Sequence, residues 1–184
     1  MIAPSNRNMP DKSSATQIDA SKIRLLTGIN PAQALGFAVS YLMTKPAFAR
    51  LPFGHWSRIL VGQINRGHYL IASDDGHIAG FLGWALTTRE KGEIWLAEQG
   101  ELSFEDSKAG EILLINAWAS ESNEVTHLLL ERLREIGRAQ KMVYFKRHYP
   151  DGRTRPGRLS VNAFVDAHIR ATRSSEKSGI PTSQ

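Results

Sequence analysis

The chain has 184 residues, a hydrophobic content of 41% and a formal net charge of +5 at pH 7. A chain of this length buries one core of ordinary size, and cysteine is absent, which excludes disulfides, thiolate catalysis and cysteine-ligated metal sites. Residues 1–21 lack the apolar segment of a secretory signal, and no apolar run approaches the roughly 20 residues of a membrane helix. We therefore expect a single-domain, soluble, cytoplasmic protein with no membrane span and no metal.

The first predicted helix follows a polar N-terminal region. Residues 1–29 are polar and weakly periodic, which predicts a disordered tail. Asn30 as the cap and Pro31 at the first helical position predict a helix start. The helix should continue to about Met43 and end before Pro46, because the residue preceding a proline disfavours the helical conformation.

A second helix and a hairpin come next. Apolar residues after Pro52 are spaced to form one stripe of a helix that ends at Gly67. The stripe consists of Trp56, Ile59, Leu60 and Ile64. Two apolar segments, residues 69–73 and 78–86, then flank Asp75-Gly76, and Asp-Gly between two such segments predicts a tight hairpin turn.

The middle of the chain predicts a buried strand between two helices. Residues 90–98 are consistent with a short helix, and residues 104–110 with a polar loop. The nearly unbroken apolar run at residues 112–118 is typical of a central strand covered on both faces. Residues 124–139 have helical spacing, so this helix should pack on the sheet, and residues 141–149 should form the next strand.

The C-terminal part is predicted to contain little regular structure. Turn-forming residues at 151–153 and 155–157 lead to a short segment at residues 159–165, and residues 167–184 are expected to be a disordered tail. The domain would therefore occupy residues 30–166. This order of elements predicts a small mixed α/β (α+β) sheet flanked by helices.

Positive charge is concentrated near the C-terminus. Between Arg138 and Arg173 there are nine lysines and arginines against Asp151 and Asp166. A basic face attracts polyanions such as nucleic acid, lipid head groups or an acidic protein, whereas the plainer interpretation is a solvated surface. Because no zinc-ligand spacing or paired-aromatic motif accompanies the charge, a basic nucleic-acid-binding protein is only the weaker alternative.

An ordered set of short motifs resembles the bacterial toxin-activating lysine acyltransferases, the hemolysin-activating family of RTX toxins. The motifs are Leu35-Gly36, Pro46, Pro52, Tyr69-Leu70, Asp75, Gly83-Trp84-Ala85, Glu90, Glu105-Asp106 and Ala109-Gly110, and later Gly157-Arg158-Leu159-Ser160. The resemblance implies a single-domain acetyltransferase-like (GNAT-like) fold, in which two neighbouring strands splay apart. It also implies transfer of a fatty acyl group from acyl carrier protein to a lysine of a target protein, with no bound cofactor, and it allows a homodimer.

The family's proton-handling residues are replaced. The resemblance aligns the catalytic histidine with Phe48, and the supporting aspartate with either Asn116 or Ala117. Lysine acylation needs a base, because the amine is protonated at neutral pH, and a donor for the oxyanion. His55 and Asn116 are the candidate replacements. A catalytically inactive relative that binds acyl carrier or a partner protein is the alternative that Phe48 suggests.

Donor binding has four further candidate residues. Trp84 and Trp118 could flank an acyl chain, although simple core packing is the plainer interpretation of both. No glycine-rich turn of the kind that binds the pyrophosphate of coenzyme A lies between Trp118 and Glu124, in agreement with acyl carrier protein as donor. That acidic carrier would suit Arg153 and Arg155.

Overall fold

The computed structural model describes residues 22–149 and 153–178, with the side chains of residues 175–178 left out. Six strands of this described part form one sheet in the spatial order β1 to β6. They are β1 (Ile23–Leu26), β2 (Tyr69–Asp74), β3 (His77–Thr87), β4 (Ile112–Ser120), β5 (Met142–His148) and β6 (Thr154–Leu159). All neighbours are antiparallel except β4 and β5, which are parallel.

Six α-helices in the described residues cover the two faces of the sheet. They are α1 (Pro31–Leu42), α2 (Pro46–Ala49), α3 (Phe53–Arg66), α4 (Arg89–Leu96), α5 (Asn123–Ile136) and α6 (Val161–Ser178). On one face of the sheet, the side chains of α5 and α6 pack in a buried cluster with alternate residues of the strands. On the other face, α1, α3 and α4 pack against the intervening strand residues. The predicted single-domain mixed sheet flanked by helices, consistent with an acetyltransferase-like fold, is confirmed.

Local sequence signals correctly predicted the start of α1 and the β2–β3 turn. The Asn30 side chain accepts hydrogen bonds from the backbone N–H groups of Ala32 and Gln33, which fixes the start of α1. The β2–β3 turn places Asp75 and Gly76 at positive φ, 47° and 86°, as a type I′ hairpin turn requires. None of the helices in residues 22–149 and 153–178 combines the length and apolarity that crossing a membrane requires.

The prediction of a disordered tail over residues 1–29 is wrong at its C-terminal end. Ile23–Leu26 forms an antiparallel edge strand on β2, and Ile23 and Leu25 pack against the α5–α6 side of the core. A four-residue strand is too short to give a periodic signal, so its partner strand determines its conformation. Residues 1–21 lie outside the described residues.

The predicted C-terminal boundary at residue 166 is also wrong, because α6 continues to Ser178. Val161, Phe164, Val165 and the partly buried Ile169 recur at helical spacing and pack on β5 and α5, which stabilises the helix. The predicted tail at residues 167–184 is therefore helical as far as residue 178. Residues 179–184 lie outside the described residues.

The turn predicted at residues 155–157 is a strand. β6 is the outer strand of the sheet, where Pro156 is tolerated because an edge strand needs fewer paired N–H groups. A Cβ at Gly157 would lie 2.2 Å from the ring of Phe145, so glycine lets β6 pass close to β5. The turn predicted at residues 151–153 falls largely on residues 150–152, which lie outside the described residues.

Candidate active site

The site begins where β4 and β5 separate. Their parallel pairing runs from Ile112 with Met142 to Ile115 with Phe145 and then stops, although β4 continues to Ser120 and β5 to His148. Asn116 and Lys146 are the first residues beyond the last pair. The two strands therefore form a fork, as the resemblance predicts for neighbouring strands of this fold.

A β-bulge determines where Asn116 points. Gly83 pairs with Ala117 and Trp84 with Ile115, so Asn116 is an extra residue in β4. Ile115 packs in the α5–α6 cluster, whereas Ala117 packs in the α1–α3 cluster on the opposite face. Asn116 also faces α3, because its side chain is hydrogen-bonded to that helix.

That hydrogen bond comes from Gln63, whose side chain is completely buried. The Gln63 Nε2 donates to Asn116 Oδ1. A Cβ at Gly83 would lie 2.3 Å from the Gln63 Oε1, so the glycine of the Gly83-Trp84-Ala85 motif makes room for this amide. Because the Asn116 oxygen is the acceptor, the Asn116 Nδ2 keeps its hydrogens for another acceptor.

A cavity of about 550 Å³ opens beside Asn116, between α3, α4 and the segment that follows α4. We call it the fork cavity. It is lined by His55, Arg58, Ile59, Gly62, Arg66, Trp95, Glu98, Gly100, Glu101, Leu102, Ser103, Phe104, Ser107, Asn116 and Lys146. Its volume is that of a typical small-molecule site, and the predicted residues His55 and Asn116 both line it.

His55 is paired with a carboxylate at the rim of this cavity. Its Nδ1 lies 3.1 Å from Glu101 Oε1. A carboxylate in this position holds the proton on Nδ1 and leaves Nε2 as the acceptor, which is the tautomer of a general base. The His55 side chain is 40% exposed, so a second molecule can reach it.

Phe48 occupies a different place. It lies on α2, partly buried, with its ring centroid 6.1 Å from that of Trp56 in an edge-on arrangement. It lines a second cavity of about 340 Å³, bordered also by Lys45, Trp118 and Glu121, which we call the Phe48 cavity. Neither His55 nor Asn116 is among the described residues that line it.

Comparison with protein families gives a match. The sequence model of the RTX toxin acyltransferase family matches residues 28–158, about 70% of the chain. The chain belongs to the RTX toxin acyltransferase family. Comparison with curated proteins gave no match. The match extends from the residues before α1 to the end of β6, so it includes both cavities and confirms the family recognised from the sequence.

The resemblance aligns the family's aspartate with either Asn116 or Ala117, and these two residues differ in their surroundings. Asn116 lines the fork cavity, whereas Ala117 is 5% exposed and packs in the α1–α3 cluster. The bulge in β4 brings both residues to the same face of the sheet. Of the two, Asn116 is the one that can form a hydrogen bond to a bound molecule.

The two tryptophans lie in separate environments. Trp84 is 3% exposed, stacks on His68 with 5.8 Å between ring centroids, and borders neither cavity. Trp118 is partly buried, lines the Phe48 cavity and packs against Phe164 at 5.9 Å. Trp84 therefore has the surroundings of a core residue, and only Trp118 borders a cavity.

The arginines proposed for carrier docking lie on the β5–β6 hairpin. Arg155 is opposite Arg147 in the strand pairing, and the Arg153 guanidinium lies 5.5 Å from the centroid of the Tyr149 ring. Neither Arg153 nor Arg155 is among the described residues that line the two cavities. Their exposed positions give a basic edge next to the fork.

Arg158, in the Gly157-Arg158-Leu159-Ser160 motif, supports the wall of the fork cavity. Its Nε and Nη2 donate to the Glu93 carboxylate of α4 at 2.5 to 3.1 Å, and the Tyr144 hydroxyl donates to the same carboxylate at 2.7 Å. The Arg158 hydrogen bonds, followed by the Tyr144 bond, lower the pKa of Glu93 to about 2. This cluster attaches α4 to β5 and β6.

Sequence reasoning missed several residues of the site. Gln63 lies within the apolar stripe of α3, where a polar residue is a recognisable signal for a buried hydrogen bond. Glu101 and Glu93 had no local signal, because their partners are distant in sequence. Arg66, which also lines the fork cavity, precedes the helix-ending Gly67 and carries no sequence signal of a binding role.

Proposed function

We propose that the protein transfers a fatty acyl group from acyl carrier protein to the side-chain amine of a lysine in a target protein, and that this occurs in the fork cavity. The observation that carries the proposal is that His55 and Asn116 line one cavity where β4 and β5 separate. The family's description supports acyl transfer and a toxin of the RTX class as the target. The lysine acceptor and the carrier-linked donor follow from the resemblance.

The roles of the residues follow from their hydrogen bonds. The lysine ammonium loses one proton to water, and the Nε2 of His55 takes a second proton from the nitrogen as it attacks, while Glu101 holds Nδ1–H and stabilises the imidazolium. The amine nitrogen bonds to the thioester carbonyl carbon, and the Asn116 Nδ2 donates to the resulting oxyanion. The C–S bond then breaks, the new amide forms, and the leaving thiolate takes the proton from His55.

Each of these effects has a known magnitude in enzymes. A positioned general base contributes about 10²- to 10⁴-fold, and an oxyanion donor about 10²- to 10³-fold. Neither role requires the histidine that the family has at the place of Phe48. The chemistry of the fork cavity therefore supports an active transferase with a relocated base.

Phe48 favours a second candidate function. Its ring cannot accept a proton and packs edge-on against Trp56. A relative that has lost its base at this place could bind acyl carrier or a partner protein without catalysing transfer.

A single-turnover assay separates the two functions. Acyl-carrier protein and a lysine-containing segment of an RTX toxin are mixed with the protein, and the acceptor mass is measured before and after hydroxylamine, which cleaves thioesters and spares amides. We expect a hydroxylamine-resistant mass increase of one acyl group. No transfer together with retained binding of acyl carrier would reject the transferase and leave the binding function.

A further inference from the structure

Arg66 is a half-buried cation that has no anionic partner among the residues that the structure describes. Its guanidinium lies over the Phe104 ring, with 5.0 Å between the guanidinium carbon and the ring centroid. The Nε is buried and makes no hydrogen bond within the described residues. Gly62, one turn earlier in α3, makes room for it, because a Cβ there would lie 3.0 Å from the Arg66 Nη1. The side chain is thus held along the wall of the fork cavity.

The carboxylates that line the fork cavity are paired with residues other than Arg66. Glu98 lies 3.3 Å from Lys146, and Glu101 lies 3.1 Å from His55. Within the part of the chain that the structure describes, no carboxylate forms an ion pair with Arg66. Burial lowers the pKa of Arg66, which is the sign of a charge that has lost water without gaining a partner.

An unpaired guanidinium at a cavity wall is a ready site for an anion. An arginine stays protonated, so the cost of its partial desolvation is recovered only when an anion contributes hydrogen bonds. A guanidinium matches the oxygens of a phosphoryl group in a two-pronged arrangement. The fork cavity, at about 550 Å³, is large enough for a pantetheine arm, and Ile59 and Trp95 supply apolar surface.

We propose that Arg66 binds the phosphoryl group of a phosphopantetheine-linked acyl donor. The proposal rests on the proposed function, since it assigns the donor to the cavity that contains Asn116. Arg66 and Asn116 line the same cavity, so one bound ligand can contact both side chains, with its phosphoryl group at Arg66 and its thioester at Asn116. Carrier protein and coenzyme A both supply this group.

The test measures binding, so it does not depend on turnover. An acyl-phosphopantetheine with an amide in place of the thioester, and the same compound without phosphate, are titrated calorimetrically into the full-length protein. For the unchanged protein the phosphate should tighten binding about tenfold or more. Arg66→Gln, which keeps a side chain over Phe104, should remove that advantage and leave the dephosphorylated ligand unaffected. Arg66→Lys should keep part of it.

Arg132→Ala is the matched control, because Arg132 is an exposed arginine of α5 paired with Glu135, away from the cavity. Melting temperatures verify that each variant is folded. Equal weakening of both ligands by Arg66→Gln, an unchanged phosphate advantage, or failure of both ligands to bind would each overturn the proposal. A phosphate advantage that depends on Arg66, in a protein that transfers no acyl group, would support this inference and reject only the proposed transfer.

The source of the phosphoryl group is distinguished by comparing acyl-carrier protein with acyl-coenzyme A. The same loss of affinity for both on Arg66→Gln supports recognition of the shared phosphoryl group. A loss confined to the intact carrier protein would mean that Arg66 contacts the carrier's own acidic surface, and would overturn the proposal.

Discussion

The two cavities differ in the chemistry of their walls. The fork cavity has a histidine paired with a carboxylate, an amide whose oxygen accepts from Gln63, and a guanidinium whose Nε is unpartnered within residues 22–149 and 153–178. The Phe48 cavity has the aromatic side chains of Phe48 and Trp118 and an ion pair between Lys45 and Glu121, and it is also lined by the polar residues Ser120, Ser122, Asn123 and Thr126. Of the two cavities, the fork cavity is therefore the one that combines a carboxylate-paired histidine with an amide beside it.

Under the proposed function, a member of this family keeps its scaffold while the position of its catalytic base changes. Phe48 adds apolar contact between α2 and α3, whereas the fork between β4 and β5 keeps polar groups beside it. If transfer occurs, residues of the fork cavity should affect its rate, and residues of the Phe48 cavity should affect stability. Each variant below tests that contrast.

Loss of the base should have the largest effect. His55→Ala should lower the single-turnover rate about 10³-fold, within the range of a positioned general base. The fold should persist, because an exposed pair such as His55–Glu101 contributes about 1 kcal/mol or less to stability. His77→Ala is the matched control, since His77 is an exposed histidine at the hairpin turn. An unchanged rate for His55→Ala would place the base elsewhere.

Loss of the oxyanion donor should come next. Asn116→Ala should lower the rate constant of transfer about 10²-fold with little change in donor affinity, because the hydrogen bond forms in the transition state. The variant also leaves the buried Gln63 Nε2 without its acceptor, which should cost about 1–3 kcal/mol of stability, so assays belong below its melting temperature. Asn162→Ala, at an exposed position of α6, is the control. Equal rates for the two variants would remove Asn116 from the mechanism.

Removal of the Phe48 ring should act on stability alone. Phe48→Ala should lower the free energy of unfolding by about 2 kcal/mol, less than for a fully buried phenylalanine, and change the transfer rate less than threefold. Phe53 also packs edge-on against Trp56, at 5.4 Å, but is 60% exposed, so Phe53→Ala should cost less. Denaturant unfolding measures both variants. A tenfold loss of transfer in folded Phe48→Ala would return catalysis to the Phe48 cavity.

The sequence predicted the helices and strands with long periodic patterns and strong caps. The hairpin at Asp75-Gly76 and the start of α1 at Asn30 follow from local backbone chemistry, and β4 from its apolar run. The sequence does not predict β1, because four residues are too few to show a periodic pattern. It does not predict the full length of α6, because the apolar residues of that helix are sparse among polar ones. Those two elements depend on contacts with distant parts of the chain.

The candidate site was predictable only in part. The resemblance left Asn116 and Ala117 as alternatives for one position, because a bulge in β4 has no signature in the sequence of that strand. His55 could be proposed from its residue type, but its carboxylate partner Glu101 could not, since the pairing depends on how α4 and the following segment fold over α3. The buried position of Gln63 also requires a glycine at residue 83, where a Cβ would clash with the Gln63 amide. These two residues meet only when α3 packs on β3.

The smallest expected effect concerns the wall of the fork cavity, which Glu93 of α4 attaches to Arg158 of β6. The pKa of Glu93 in the folded protein is about 2, below the usual 4.5. Its carboxylate therefore stabilises the fold fully above about pH 4.5 and loses that contribution as pH falls toward 2. Because both side chains are over 40% exposed, the contribution is at most about 1 kcal/mol, or about 2–4 °C in melting temperature.

Glu93→Gln should therefore melt a few degrees below the unchanged protein at pH 6 to 7, and the two curves should converge as pH falls toward 2. Glu135→Gln, in an exposed pair on α5, controls for the loss of one carboxylate. A difference between Glu93→Gln and the unchanged protein that stays constant down to pH 2 would mean that charge does not hold α4 in place. The wall of the fork cavity would then depend on apolar packing, as α2 does beside Phe48.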